Sequence, residues 1–230
     1  MIKKGIKEGL PVFVGYFTTA VAYGLMGRNT GLLFWETLIV SLIVFAGASQ
    51  FIFLSLIAAG AGGVEIVITT FLVNLRHMLM SSSLAVRLEK KSLLLPIAAF
   101  GVTDETFAVA SFGADRITEK YLIALNATSY LGWVGGTAAG YLAGNLLPGK
   151  LQNIMGILLY LLFVAILTPE VKKRFSLLPV ILISGGVNWL LARAGWMSSG
   201  WNMIAAIIVG CTAGYFMEGR WENRSDRGAE

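Results

Sequence analysis

Stretches of about twenty predominantly apolar residues follow one another along this chain with only short polar punctuation between them, and that alternation leaves few folds open. Hydrocarbon offers backbone N–H and C=O groups no partners, so a segment that crosses it must satisfy its own, as a helix or as part of a closed barrel. About twenty residues at about 1.5 Å each match the roughly 30 Å hydrocarbon core as a helix. Counted this way, spans fall near residues 10–26, 37–57, 67–86, 93–112, 121–147, 151–168, 177–193 and 201–217. The punctuation lies at Gly60 to Gly63, Arg87 to Lys91, Asp115 to Lys120, Pro148-Gly149-Lys150, Glu170 to Arg174 and Gly195 to Gly200. The expected fold is all-α: a polytopic transmembrane helix bundle of about eight spans, with seven as the alternative. Composition agrees, since 56% of the 230 residues are hydrophobic and only 13% charged, against about 25% charged in an average soluble domain. A single integral membrane domain over 1–230 accounts for the chain.

The net charge of +5 could point to nucleic acid, but the cations lie between apolar stretches, where they act as topology signals. With the N-terminus in the cytoplasm, the inner segments carry Lys3, Lys4, Lys7, Arg116, Lys120, Lys172, Lys173, Arg174, Arg220, Arg224 and Arg227. The outer ones carry Arg28, Arg87, Lys90, Lys91, Lys150 and Arg193. The larger inner set supports N-in and C-in, while Arg87, Lys90 and Lys91 run against the rule and keep seven spans open. Lys3, Lys4 and Lys7 before an apolar run resemble a signal peptide, but no small-x-small cleavage site follows, so an uncleaved first helix is expected. The one cysteine, Cys211, cannot form an intramolecular disulfide, and Cys and His show no metal-ligand spacing. No cofactor, metal or nucleic-acid partner is expected.

Three polar clusters interrupt the apolar stretches: Gly47-Ala48-Ser49-Gln50, Asn74-Leu75-Arg76-His77 and Thr103-Asp104-Glu105. An Arg or Asp at the centre of a span costs roughly 2.5 to 3.5 kcal/mol on insertion scales, so such residues face one another or a wet cavity. In an antiparallel pair of spans, counting back from Arg87 and forward from Ser92 puts Arg76 and Asp104 each about 17 Å from the same membrane face. Similar counting from the Ala58 to Ile66 turn brings Ser49, Gln50 and Asn74 to that level, near the midplane, where transporters bind substrate. Arg76 offers a forked donor for a carboxylate, and Asp104 or Glu105 an acceptor for an ammonium group or a proton, which together suit a zwitterion. Neighbouring helical side chains diverge by about 100°, so Asp104 and Glu105 are not expected to face one point. Gly47 permits a helix to bend or unwind so that free backbone groups line a cavity. His77 is a further candidate for proton coupling. Against these roles stand a register-fixing ion pair for Arg76 and interhelical hydrogen bonds for His77, Ser49 and Gln50.

The fifth span carries Gly132, Gly136, Gly140 and Gly144, a smooth stripe that invites another backbone, either from this chain or from a partner. Gly210 and Gly214 repeat it more weakly in the last span. Trp35, Trp196, Trp201 and Trp221 near predicted ends read as interface anchors. A hydrolase built on Ser49 or Ser184 with His77 lacks a GxSxG elbow, so no enzyme is expected. A non-transporting assembly subunit would use the glycine stripe as its docking face.

The run Val44-Phe45-Ala46-Gly47-Ala48-Ser49-Gln50-Phe51, then Asn74-Leu75-Arg76-His77 and Thr103-Asp104-Glu105-Thr106-Phe107, in that order and spacing, resembles the AzlC-type branched-chain amino-acid permease family. The resemblance implies the large subunit of an exporter of branched-chain and related hydrophobic amino acids in a prokaryotic cytoplasmic membrane. It further implies a small AzlD-type membrane subunit as partner and the proton motive force as driver. A carrier of another small organic acid or ion is the alternative.

Overall fold

A computed structural model describes residues 1–89, 92–111, 117–144 and 177–227, with Val164, Thr168, Val171, Lys172 and Phe175 besides. Among the described residues the secondary structure is helical apart from one isolated bridge between Leu88 and Ile117. The helices are α1 (Ile2–Asn29), α2 (Phe34–Ile43), α3 (Gly47–Ala58), α4 (Gly63–Arg87), α5 (Leu95–Phe100), α6 (Asp104–Ser111), α7 (Glu119–Ala143), α8 (Leu177–Ala194) and α9 (Ser199–Arg227). α1, α4, α8 and the Gly200–Met217 part of α9 are long and apolar enough to cross a membrane. Of the predicted span at 151–168, all but Val164 and Thr168 lies outside the described residues. The chain forms two compact units, Met1–Leu54 with Val73–Leu158 and Ser55–Leu72 with Leu159–Glu230.

Two expected spans are not continuous. The stretch 37–57 is α2 and α3, separated by Val44, Phe45 and Ala46, and 93–112 is α5 and α6, separated by Gly101, Val102 and Thr103. Each piece is far shorter than the roughly 20 residues a membrane crossing needs. The third span is the single helix α4, with Arg76 near its middle.

In the first unit α1 lies along α7 at backbone contact. A Cβ on Gly132 would sit 2.6 Å from the Phe13 carbonyl oxygen, and one on Gly136 or Gly140 would run into the carbonyls of Phe17 or Val21. Reciprocally, Gly5 faces the Tyr121 carbonyl, Gly9 the Leu125 carbonyl and Gly24 the Thr137 carbonyl. The pairs ascend together along both helices, so α1 and α7 run parallel, as the first and fifth spans must. The glycine stripe therefore finds its neighbour within this chain, and Gly144 continues it against Arg28 and Leu25. This contact also explains why α1 begins at Ile2, well before the apolar run. Gly5 and Gly9 pack on α7, while Lys4 lies 3.8 Å from Glu8, whose carboxylate accepts from the Tyr121 phenol.

The ends are closed by local chemistry. After α3, Gly60 takes φ +70°, a left-handed conformation that costs glycine nothing, and the Ala61 amide reaches back to Leu56 O at 3.0 Å. Thr118 caps α7 by accepting from the Tyr121 amide at 3.3 Å. At the same end the Glu119 carboxylate accepts from the Ser92 amide at 2.7 Å and the Ser92 hydroxyl at 2.5 Å, bonds that hold its carboxyl below the usual range. In the second unit Gly210 and Gly214 meet Ser184 and Val180, so the weaker stripe serves the α8–α9 contact.

Candidate functional site

The break between α2 and α3 leaves carbonyls at the end of one helix and amides at the start of the next without helical partners. Three side chains, those of Gln50, Tyr130 and Ser49, donate to carbonyls around the break. The Gln50 amide nitrogen donates to Val40 O at 3.1 Å and to Val44 O, and its oxygen accepts from the Trp133 indole N–H at 2.8 Å. Tyr130 donates to Leu42 O at 2.8 Å. Trp133 and Tyr130 both belong to α7, so that helix clamps the break. Gly47 opens α3 directly under the indole: a Cβ there would lie 2.7 Å from the Trp133 ring. Ser49, wholly buried, donates to Ala46 O at 2.9 Å.

The break between α5 and α6 is closed differently. Thr103 and Thr106 cap reciprocally, the Thr103 amide donating to Thr106 Oγ1 at 2.8 Å and the Thr106 amide to Thr103 Oγ1 at 3.4 Å. The Thr106 hydroxyl also lies 3.2 Å from Gly101 O. Here too α7 contributes: Asn126 donates to Ala98 O at 2.8 Å, and a Cβ on Gly101 would lie 2.5 Å from the Asn126 Cβ. The cap leaves Asp104 and Glu105 in the first turn of α6, where the positive end of the helix dipole favours carboxylates.

The two carboxylates part company, as their angular spacing requires. Asp104 Oδ2 pairs with Arg76 Nη1 of α4 at 2.8 Å. Glu105 Oε2 turns to the Tyr16 phenol of α1, which also lies 2.6 Å from Thr103 Oγ1. The Arg76 and Asp104 side chains remain 41% and 47% exposed by the chain's own atoms, so the ion pair is not sealed into a protein core. Arg76 Nε, by contrast, is covered and has no partner among the described residues, as does Asn74 Oδ1 one position pair earlier on α4. His77 is half-buried beside Arg76, within the field of both Arg76 and Asp104.

The expected site residues thus fall into two groups. Arg76 and Asp104 meet where α4 reaches the head of α6, with His77 beside them; Glu105 turns from them to Tyr16, and Asn74, on α4, has a buried Oδ1 without a partner among the described residues. Gln50 and Ser49 are buried, and their hydrogen bonds hold the first break; Gly47 makes room for the indole that anchors it. The amide of Gln50 is spent on backbone carbonyls because an unwound turn inside a span must find donors somewhere. Tyr16 and Trp133 carry no mark in the sequence, yet they join the breaks. The Tyr16 ring meets Phe45, in the first break, edge-on at 5.7 Å and Trp133 at 5.4 Å, while its hydroxyl serves the second.

These three polar clusters sit inside a stretch that a known family covers. The family model described as AzlC protein matches residues 11–147, more than half of the chain. The chain belongs to the AzlC family. Among its relatives, an uncharacterized membrane protein of Archaeoglobus fulgidus is 36% identical over 76% of this chain and 78% of that protein. The inner membrane protein YgaZ of Escherichia coli is 30% identical over 97% of this chain and 93% of its own length. The branched-chain amino acid transport protein AzlC of Bacillus subtilis is 23% identical over 72% of this chain and 66% of its own. No solved structure matches. This AzlC-family chain is a multi-pass membrane protein, and both helix breaks and every candidate site residue lie within the matched region.

Proposed function

We propose that this chain is the large subunit of a carrier that exports branched-chain and related hydrophobic amino acids, driven by the proton motive force together with a small AzlD-type membrane subunit. The observation that carries the reading is the Arg76–Asp104 pair, set at the middle of α4 and the head of α6 and only partly covered. A zwitterion can replace that pair charge for charge. Its carboxylate takes the Arg76 fork and its ammonium group takes Asp104, so neither charge is left alone at any stage, the arrangement in which intramembrane charges are tolerable. The buried Arg76 Nε has no partner among the described residues and is a further donor for the substrate carboxylate. Leu75 and Phe107 offer apolar surface for an aliphatic side chain. In this reading Gly47, Ser49 and Gln50 shape the neighbouring break, and Glu105 and His77 are the groups left to carry protons.

The substrate class follows the printed name of the Bacillus subtilis relative and fits the zwitterion chemistry. The test is efflux of labelled leucine, valine, isoleucine and methionine from proteoliposomes, with and without the small subunit and with an imposed pH gradient. Saturable efflux that needs the subunit and follows the gradient is expected. Efflux indifferent to both would remove the partner and the proton from the account, and silence for all four amino acids, with insertion verified, would remove the substrate class.

A further inference from the structure

We propose that Glu105, rather than the ion-paired Asp104, carries the coupled proton, and that Tyr16 of α1 is the positioning residue that links its protonation to both helix breaks. The inference rests on the proton-coupled reading above and deepens it. Asp104 is committed: its partner is a permanent cation at 2.8 Å, and protonating it would strand Arg76. Glu105 has a neutral partner, the Tyr16 phenol, and among the described residues no cation. It can therefore gain and lose a proton without breaking an ion pair.

The contacts of Tyr16 make that event legible to the backbone. With Glu105 ionised, the carboxylate can only accept, so the single phenol hydrogen goes to it rather than to Thr103 Oγ1. With Glu105 protonated, its own O–H donates to the phenol oxygen, and the phenol hydrogen turns to Thr103 Oγ1. The Thr103 hydroxyl then turns to Thr106 Oγ1, 3.2 Å away in the cap of α6. One proton enters from water on one side and leaves to water on the other, and the phenol holds one hydrogen in both states. Because the same ring packs on Phe45 and on Trp133, the change reaches the first break as well. The ionisable groups around Glu105 are Tyr16 on α1, Asp104 on α6 and, beyond Asp104, Arg76 and His77 on α4; α7 contributes the uncharged Trp133.

Net transport requires the proton to be bound and released in each cycle, whereas exchange of internal for external amino acid does not. In proteoliposomes Tyr16→Phe should keep leucine exchange near the wild-type rate while gradient-driven net transport falls by about tenfold or more, the scale of one hydrogen bond to a charged group. Glu105→Gln should abolish the proton movement that accompanies leucine. Thr103→Ser, which keeps the hydroxyl, should retain coupling. Gradient-driven transport at the wild-type rate in Tyr16→Phe would overturn the proposal. So would a proportional loss of exchange and net transport, which marks a purely structural side chain. A wild-type protein that ignores the pH gradient defeats the proton-coupled reading itself and is seen before any variant is made.

Discussion

Arg76 and Asp104 each remove the other's cost of sitting inside a span, and they do so without being sealed from whatever lies beside α6. That combination separates them from Gln50, whose polar atoms are all turned inward. Replacing Gln50 by Leu keeps the bulk but leaves the Trp133 N–H without its acceptor and takes a donor from Val40 O and Val44 O. At about 1 to 3 kcal/mol for a buried group left unsatisfied, Gln50→Leu should lower the melting temperature in detergent by several degrees; an unchanged melting curve would show that the break does not depend on the amide. The pairing of Arg76 with a carboxylate was readable from depth along two helices, and the divergence of Asp104 and Glu105 from helical geometry. Tyr16 was not readable. Its meaning comes from Thr103 and Glu105, 87 and 89 positions away, and one tyrosine in an apolar helix gives no local sign of such partners. The same holds for Trp133, whose acceptor lies 83 positions distant.

At the scale of elements, hydropathy registers how apolar a stretch is and says little about whether its backbone is continuous. That is why 37–57 and 93–112 read as whole spans although each is two helices. Gly47 hinted at the first break. The second depends on the Thr103–Thr106 cap, which resembles an ordinary polar cluster until the hydroxyls are placed. The glycine stripe of α7 was legible as a contact face, but its neighbour was not, because small residues state how near a backbone can come and never whose. Two adjacent glycines now separate packing from helix propensity. Gly136→Ala drives a methyl into the Phe17 carbonyl and should destabilise the protein, because the α1 and α7 backbones must move apart. Gly135→Ala meets only the Phe17 ring edge at 3.9 Å and should be neutral or stabilise by up to about 1 kcal/mol through helix propensity. Thermal unfolding of the two variants side by side checks this. Equal effects would mean that α1 and α7 do not touch along the stripe.

For the whole molecule, the parallel course of α1 and α7 agrees with three spans between them, two of them broken, and the charge distribution predicts N-in and C-in. With N-in and C-in over eight spans, Ile2 lies in the cytoplasm and Trp196 outside; both side chains are exposed, at 52% and 82%. In a Cys211→Ser background, Trp196→Cys should react with a membrane-impermeant maleimide in intact cells and Ile2→Cys only after the membrane is opened. Labelling of both from one side would replace eight spans by seven. The central claim, however, concerns the ion pair at α4 and α6, and one measurement reaches it most directly: saturable leucine counterflow in proteoliposomes by the wild-type protein and by Arg76→Gln, matched for insertion and folding. The account predicts a loss of at least about tenfold, the scale of a charge-assisted hydrogen bond to the substrate carboxylate. Counterflow by Arg76→Gln at the wild-type rate would contradict it.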